Sequence, residues 1–163
     1  MVRHRLIGTK LAAGFEVEDT SGHRLRLGGP SGAVAAYFFP GSTTSPAHGQ
    51  DTPLADAEEH RAFRDARERL SDFGLNVVGV SSQPAAKLQQ AIAANDLHHP
   101  LTSDPRLKLG ELWSLPNFPL GGGRVYERLT LLVIAGRITQ VFYPVPVPGH
   151  AAQEVLDHIT GGR

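Results

Sequence analysis

The chain has 163 residues, 40% hydrophobic and 20% charged, with sixteen basic residues balancing sixteen acidic ones. That length suits one domain, residues 1–163, with a core of its own, and the balanced charge supplies no field to draw it to nucleic acid or an anionic membrane. Cysteine is absent, which excludes disulfides, thiolate metal sites and every mechanism built on a protein thiol.

No apolar run approaches the roughly 20 residues of a membrane span, and residues 1–20 carry charges where a signal peptide needs an apolar stretch. A cytoplasmic protein is expected, with no membrane partner. Residues 15–27 alternate apolar and polar on both sides of Asp19-Thr20-Ser21-Gly22 and predict a β-hairpin. Residues 33–39 form a continuous apolar run closed by Pro40, the pattern of a strand covered on both faces. Residues 41–50 are rich in Gly, Ser, Thr and Pro and predict a surface loop.

Thr52 then suits an N-cap, Pro53 the first helical position, and Asp56, Glu58 and Glu59 the early turns, where the helix macrodipole favours negative charge. Phe63, Ala66, Leu70 and Phe73 predict a buried stripe, and Gly74 the residue just past the helix end. A second apolar strand (75–80), a helix (84–95), a short strand within 97–102 and a brief helix around Leu107 to Trp113 follow. Pro116, Pro119 and Gly121 to Gly123 predict a loop, residues 125–134 and 137–143 a hairpin across Ala135-Gly136, and residues 151–159 a closing helix. This order implies an α/β fold with a mixed central sheet flanked by helices. The loop leaving the first long strand and entering its helix is where such folds place ligands, and Asp56 stands there.

In order and spacing, five landmarks resemble a peroxiredoxin of the bacterioferritin-comigratory or Q type, within the thioredoxin-like superfamily. They are Tyr37-Phe38-Phe39-Pro40, Phe63-Arg64-Asp65, Val77-Val78-Gly79-Val80-Ser81, Leu101-Thr102-Ser103-Asp104 and Glu127-Arg128-Leu129-Thr130-Leu131. The resemblance runs over nearly the full length and implies a thioredoxin-like, peroxiredoxin-type fold. It places a peroxidatic cysteine seven residues before the Phe of Phe-Arg-Asp, which is Asp56 here, and a resolving cysteine five residues further on, which is Arg61. The family's thiolate-stabilising arginine falls on Arg128, and its active-site threonine on Pro53. A one-residue slip moves the threonine to Thr52 and the cysteine position to Ala55.

The departure decides the chemistry. Thiol peroxidases need a low-pKa thiolate that becomes a sulfenic acid, and a carboxylate does neither. Two readings remain for the vacated pocket: a binding or regulatory role for an unidentified small molecule or protein partner, or non-redox acid/base chemistry with Asp56 or His60 as base and Arg128 as electrostatic clamp. A third alternative is membership of the antioxidant family by descent alone. Asp56, His60 and Arg128 are therefore the candidate catalytic residues, and Pro40, Thr52, Arg61, Trp113 and Phe118 the candidate ligand-binding ones. His60 shares a helix face with Asp56 at i+4, whereas Glu59 is read as lying off that face, and no histidine pair has metal-ligand spacing. No metal and no cofactor is expected. The adjacent His98-His99 side chains diverge on an extended segment, with surface exposure expected for both. A monomer or homodimer is expected.

Overall fold

The computed structural model describes residues 2–10, 16–26, 32–41, 53–120 and 122–161. A short helix that the sequence pattern does not announce, α1 (Val2–Leu6), precedes the hairpin of β1 (Glu16–Glu18) and β2 (Arg24–Arg26). The long apolar run becomes β3 (Ala33–Phe38), and α2 (Pro53–Asp72) follows the loop. Then come β4 (Asn76–Ser81), α3 (Ala85–Asn95), β5 (Leu101–Ser103) and α4 (Lys108–Trp113). The chain ends through β6 (Asn117–Leu120), β7 (Gly123–Tyr126), β8 (Leu129–Ile134), β9 (Arg137–Phe142) and α5 (Ala151–Ile159).

The central sheet has the order β5-β4-β3-β8-β9. Its β3, β4 and β5 run parallel, β8 pairs antiparallel with β3, and β9 pairs antiparallel with β8 and so runs in the direction of β3. Because side chains alternate along a strand, β3 feeds two cores. Val34, Ala36 and Phe38 join Trp113, Leu109, Tyr126 and Leu129 on one face. Ala35, Tyr37 and Phe39 join Phe63, Leu70, Leu88 and Val155 on the other, beneath α2, α3 and α5.

Two glycines are required here, one by its backbone conformation and one by packing. Gly74 has φ +80°, and its N–H reaches Ser71 O at 2.8 Å while Leu75 N–H reaches Leu70 O at 3.0 Å. That pair of bonds closes α2 in a Schellman motif. Gly79 in β4 leaves room for Tyr37, since a Cβ there would lie 2.9 Å from the ring's Cζ and would collide with Leu101.

Three expectations are corrected. Phe73 is not part of the buried stripe: α2 ends at Asp72, and Phe73 is 53% exposed in the turn, its place taken by buried Leu75. The segment read as a Pro/Gly loop pairs instead as β6 with β7. The hairpin strand read as beginning at position 125 starts at Leu129, because Val125 and Tyr126 belong to β7. Thr52, Phe15, Leu27, Gly121 and positions 42–50 lie outside the described residues.

Candidate active site

The face that α2 turns to the sheet begins polar and becomes apolar. Asp56, Glu59, His60 and Phe63 fall at i, i+3, i+4 and i+7, the spacing of one helix face, and all four are buried. Glu59 therefore does share the face of Asp56, against the sequence reading. The antiparallel register that sets Leu129 opposite Phe38 brings Arg128, just before β8, to the carboxyl end of β3 and the first turns of α2.

There Arg128 forms a fork. One guanidinium nitrogen donates to Asp56 Oδ1 at 2.6 Å and the other to Glu59 Oε1 at 3.0 Å. Asp56, Glu59 and Arg128 are respectively 3%, 0% and 6% exposed, so this ion cluster is enclosed and both arms are charge-assisted hydrogen bonds between buried groups. Asp56 also sits in the first turn of α2, where the helix N-terminus favours negative charge. The cluster fills the position that the sequence reading left as a vacated pocket.

A second buried network adjoins it. The Tyr37 hydroxyl lies 2.8 Å from Nδ1 of His60 and 2.7 Å from Nε2 of His99. A phenol carries one proton, so Tyr37 donates to one imidazole and accepts from the N–H of the other. Its ring stacks on Phe63 with centroids 4.3 Å apart. Burial, then the charges of Glu59 and Asp56, pushes the Tyr37 hydroxyl well above its ordinary pKa and keeps it neutral.

Burial also lowers His60 to about 3, helped by His99, Arg128 and Arg61, and lowers His99 to about 4, helped by Arg67 and His98. Both rings are therefore uncharged at neutral pH. The expected surface exposure of the His98-His99 pair is corrected on this point: His98 is exposed beside Asp96, while His99 is 3% exposed in the core.

The remaining candidate residues spread apart. A polar cavity of about 450 Å³ between α2 and α3 is lined in part by Asp56, His60, Arg61, Gln83, Lys87 and Asn95. Arg61 reaches Asn95 Oδ1 across it at 3.4 Å. Pro40 is buried at the end of β3. Trp113 and Phe118 do not line this cavity. Trp113 is a core residue on the opposite face of the sheet, and Phe118 is buried in β6. Among the described residues no group of three or more His, Cys, Asp or Glu is arranged to hold a metal ion.

Residues 7–138 match the AhpC/TSA family pattern. The chain belongs to the AhpC/TSA family. A Mycobacterium tuberculosis protein named as a peroxiredoxin is 30% identical over 157 residues, 91% of this chain and 92% of the relative. The bcp-named peroxiredoxin of Haemophilus influenzae is 30% identical over 133 residues, 77% of each chain. The crystal structure of peroxidoxin BcpB from Mycobacterium tuberculosis superposes with a TM-score of 0.78 at 21% identity, covering 97% of this chain and 98% of that one. The AhpC/TSA assignment and the bacterioferritin-comigratory type both agree with the five sequence landmarks, and the superposition agrees with the thioredoxin-like fold. No helix among the described residues is long and apolar enough to cross a membrane.

Proposed function

We propose that this AhpC/TSA-family chain is a pseudoenzyme: a binding or regulatory protein that has given up thiol peroxidase chemistry. The observation that carries the reading is the Arg128 fork, with Asp56 at 2.6 Å and Glu59 at 3.0 Å. The guanidinium that the family resemblance assigns to thiolate and peroxide is already engaged by two carboxylates of the same helix. Binding is assigned to the cavity between α2 and α3, where Arg61, Gln83, Lys87 and Asn95 offer polar ends to a small polar molecule or a peptide segment.

The acid/base alternative has less support. A histidine lowered to about 3 is a weak base at neutral pH, far from the value near the working pH that suits general base catalysis. Its Nδ1 is also engaged by Tyr37.

The purified protein is expected to consume neither hydrogen peroxide nor an alkyl hydroperoxide in a thiol-dependent cycle. Turnover that is proportional to protein, requires reductant and survives metal chelation would overturn the proposal. The binding role is tested by a thermal-shift screen of polar small molecules and peptides, repeated on an Arg61→Ala, Lys87→Ala variant. A ligand whose stabilisation disappears in the variant supports it, and the absence of any such ligand argues for an inert scaffold.

Asp56→Cys is expected to restore a single chemical step without turnover. The introduced thiolate would attack one peroxide oxygen, forming the S–O bond of a sulfenic acid as the O–O bond breaks and hydroxide leaves. With the helix N-terminus and Arg128 lowering its pKa by about one unit from 8.5, the thiolate fraction at pH 7 rises roughly eightfold. Sulfenic-acid trapping should outpace that of an exposed Arg69→Cys control by a similar factor. Equal rates for the two thiols would show that Glu59 cancels the effect of Arg128 at this position.

A further inference from the structure

The walls of the cavity between α2 and α3 carry more hydrogen-bond donors and more positive charge than the fold itself uses. Arg61 from α2 and Lys87 from the first turn of α3 both line it. Arg61 is half-buried, and its one hydrogen bond among the described residues is the 3.4 Å contact with Asn95 Oδ1, long for such a bond. A guanidinium has five N–H donors, so most of those of Arg61 remain unused. The Lys87 ammonium and the side-chain amides of Gln83 and Gln90, also on the walls, enter no hydrogen bond or ion pair among the described residues. Gln83 is nonetheless held in place, because its side chain lies against Gly41, where a Cβ would collide with it.

Acceptors are scarce on the same walls. The one carboxylate among the described lining residues is that of Asp56, and Arg128 holds its Oδ1 at 2.6 Å. His60 also lines the cavity and adds no charge, since burial lowers it to about 3. Asn95 spends its Oδ1 on Arg61 and its Nδ2 on Ala91 O at 2.9 Å. Two cations therefore face one carboxylate that is already paired.

We propose that this cavity takes a small organic dianion, a phosphate monoester or a dicarboxylate, whose charge is met by Arg61 and Lys87 and whose oxygens accept from the Gln83 and Gln90 amides. The inference rests on the binding role proposed above for the same cavity and specifies the charge of its occupant. A guanidinium offers carboxylate and phosphate oxygens a planar fork, and an ammonium adds a point charge. A cationic ligand would meet two like charges and no unpaired carboxylate. A neutral one would leave both cations unmatched, and a monoanion would match one of them. The volume, about 450 Å³, suits a ligand of metabolite size. Arg61 stands where the family resemblance places a resolving cysteine, so the departure that removes a thiol also supplies one of the two charges.

The test is 1H–15N NMR of the side-chain amides in the full-length 15N-labelled protein at about pH 7.5, where a phosphate monoester is mostly dianionic. Glycerol 2-phosphate and succinate are titrated separately, with acetate as the monoanion and glycerol and succinamide as neutral counterparts, all at matched ionic strength. Saturable shifts of the Gln83, Gln90 and Asn95 amides are expected with at least one dianion, at an apparent affinity at least fivefold above that for acetate, and the responding arm identifies the headgroup. Arg61→Ala should weaken that affinity at least fivefold, and Lys87→Glu, on an exposed side chain, should abolish saturation. Absence of saturable shifts with both dianions, equal affinity for a neutral counterpart, or saturation unaffected by Lys87→Glu would each overturn the inference. An uncharged ligand from the thermal-shift screen that perturbs the same amides would leave the binding role standing without it.

Discussion

Replacing Arg128 with alanine is expected to cost about 3 to 5 kcal/mol of folding stability, because it leaves two buried carboxylates without the cation that solvates them. For a chain of this size that loss lowers the melting temperature by roughly 10 °C. Both arms are short, 2.6 and 3.0 Å, so the substitution removes two charge-assisted hydrogen bonds at once. Arg128→Lys should recover only part of the loss, since an ammonium cannot serve two carboxylates as a planar fork. A triple variant, Asp56→Leu, Glu59→Leu and Arg128→Met, is the informative partner: with charge and desolvation removed together, stability is expected to return to within about 1 kcal/mol of the native protein or to exceed it. Urea midpoints for the three variants measure this. A loss below 1 kcal/mol for Arg128→Ala would show that Asp56 and Glu59 are solvated or neutralised without their partner.

The same cluster bears on the proposed loss of thiol peroxidase chemistry. A thiolate at this position would be one charged group competing for Arg128 with Glu59. With aspartate there, the site holds two permanent acceptors, and the guanidinium is bound within the fold. An aspartate also carries the negative, oxygen-bearing head group of an over-oxidised cysteine, so on the proposed reading this position imitates the over-oxidised form of a peroxiredoxin.

Much of this was legible in the sequence where local chemistry and tertiary packing agree. The stripe at Phe63, Ala66 and Leu70 and the stop at Gly74 each have one low-energy solution, and β3 is apolar on both faces because two cores meet it. Legibility failed where a residue type hides its partner. Pro119 reads as a breaker, yet a strand with a free side tolerates a proline whose missing N–H faces away from the ladder, and Pro119 pairs with Arg124 in the two-stranded β6–β7 arm. Glu59 reads as a solvated charge, although its i+3 spacing from Asp56 and i−4 spacing from Phe63 place it on the buried face. His99 reads as exposed because its partner, Tyr37, lies 62 residues away in sequence, and no local pattern announces that contact.

Acid is expected to destabilise the protein steeply through His60 and His99. An unfolded chain protonates both rings near pH 6.5, whereas the folded protein resists until about 3 and about 4. Between those limits the unfolded state binds more protons, so stability rises with pH. The contribution is full above pH 6.5 and is lost as pH falls toward the folded values. Each ring supplies about 1.4 kcal/mol per pH unit, so the two together remove roughly 5 kcal/mol between pH 6.5 and pH 4.5, comparable with the whole stability of many domains. Because His60 and His99 meet at the Tyr37 hydroxyl, charging one ring removes an acceptor from the chain of hydrogen bonds, and the two losses are coupled. Urea unfolding at half-unit steps from pH 7 to pH 4.5 should give a limiting slope near two protons. A Tyr37→Phe, His60→Leu, His99→Phe variant, which removes the buried network as a unit, should flatten that slope while keeping its midpoint at pH 7 within range of measurement. Direct titration of His60 and His99 near pH 6.5 in the native protein would refute both the slope and the enclosure from which it follows.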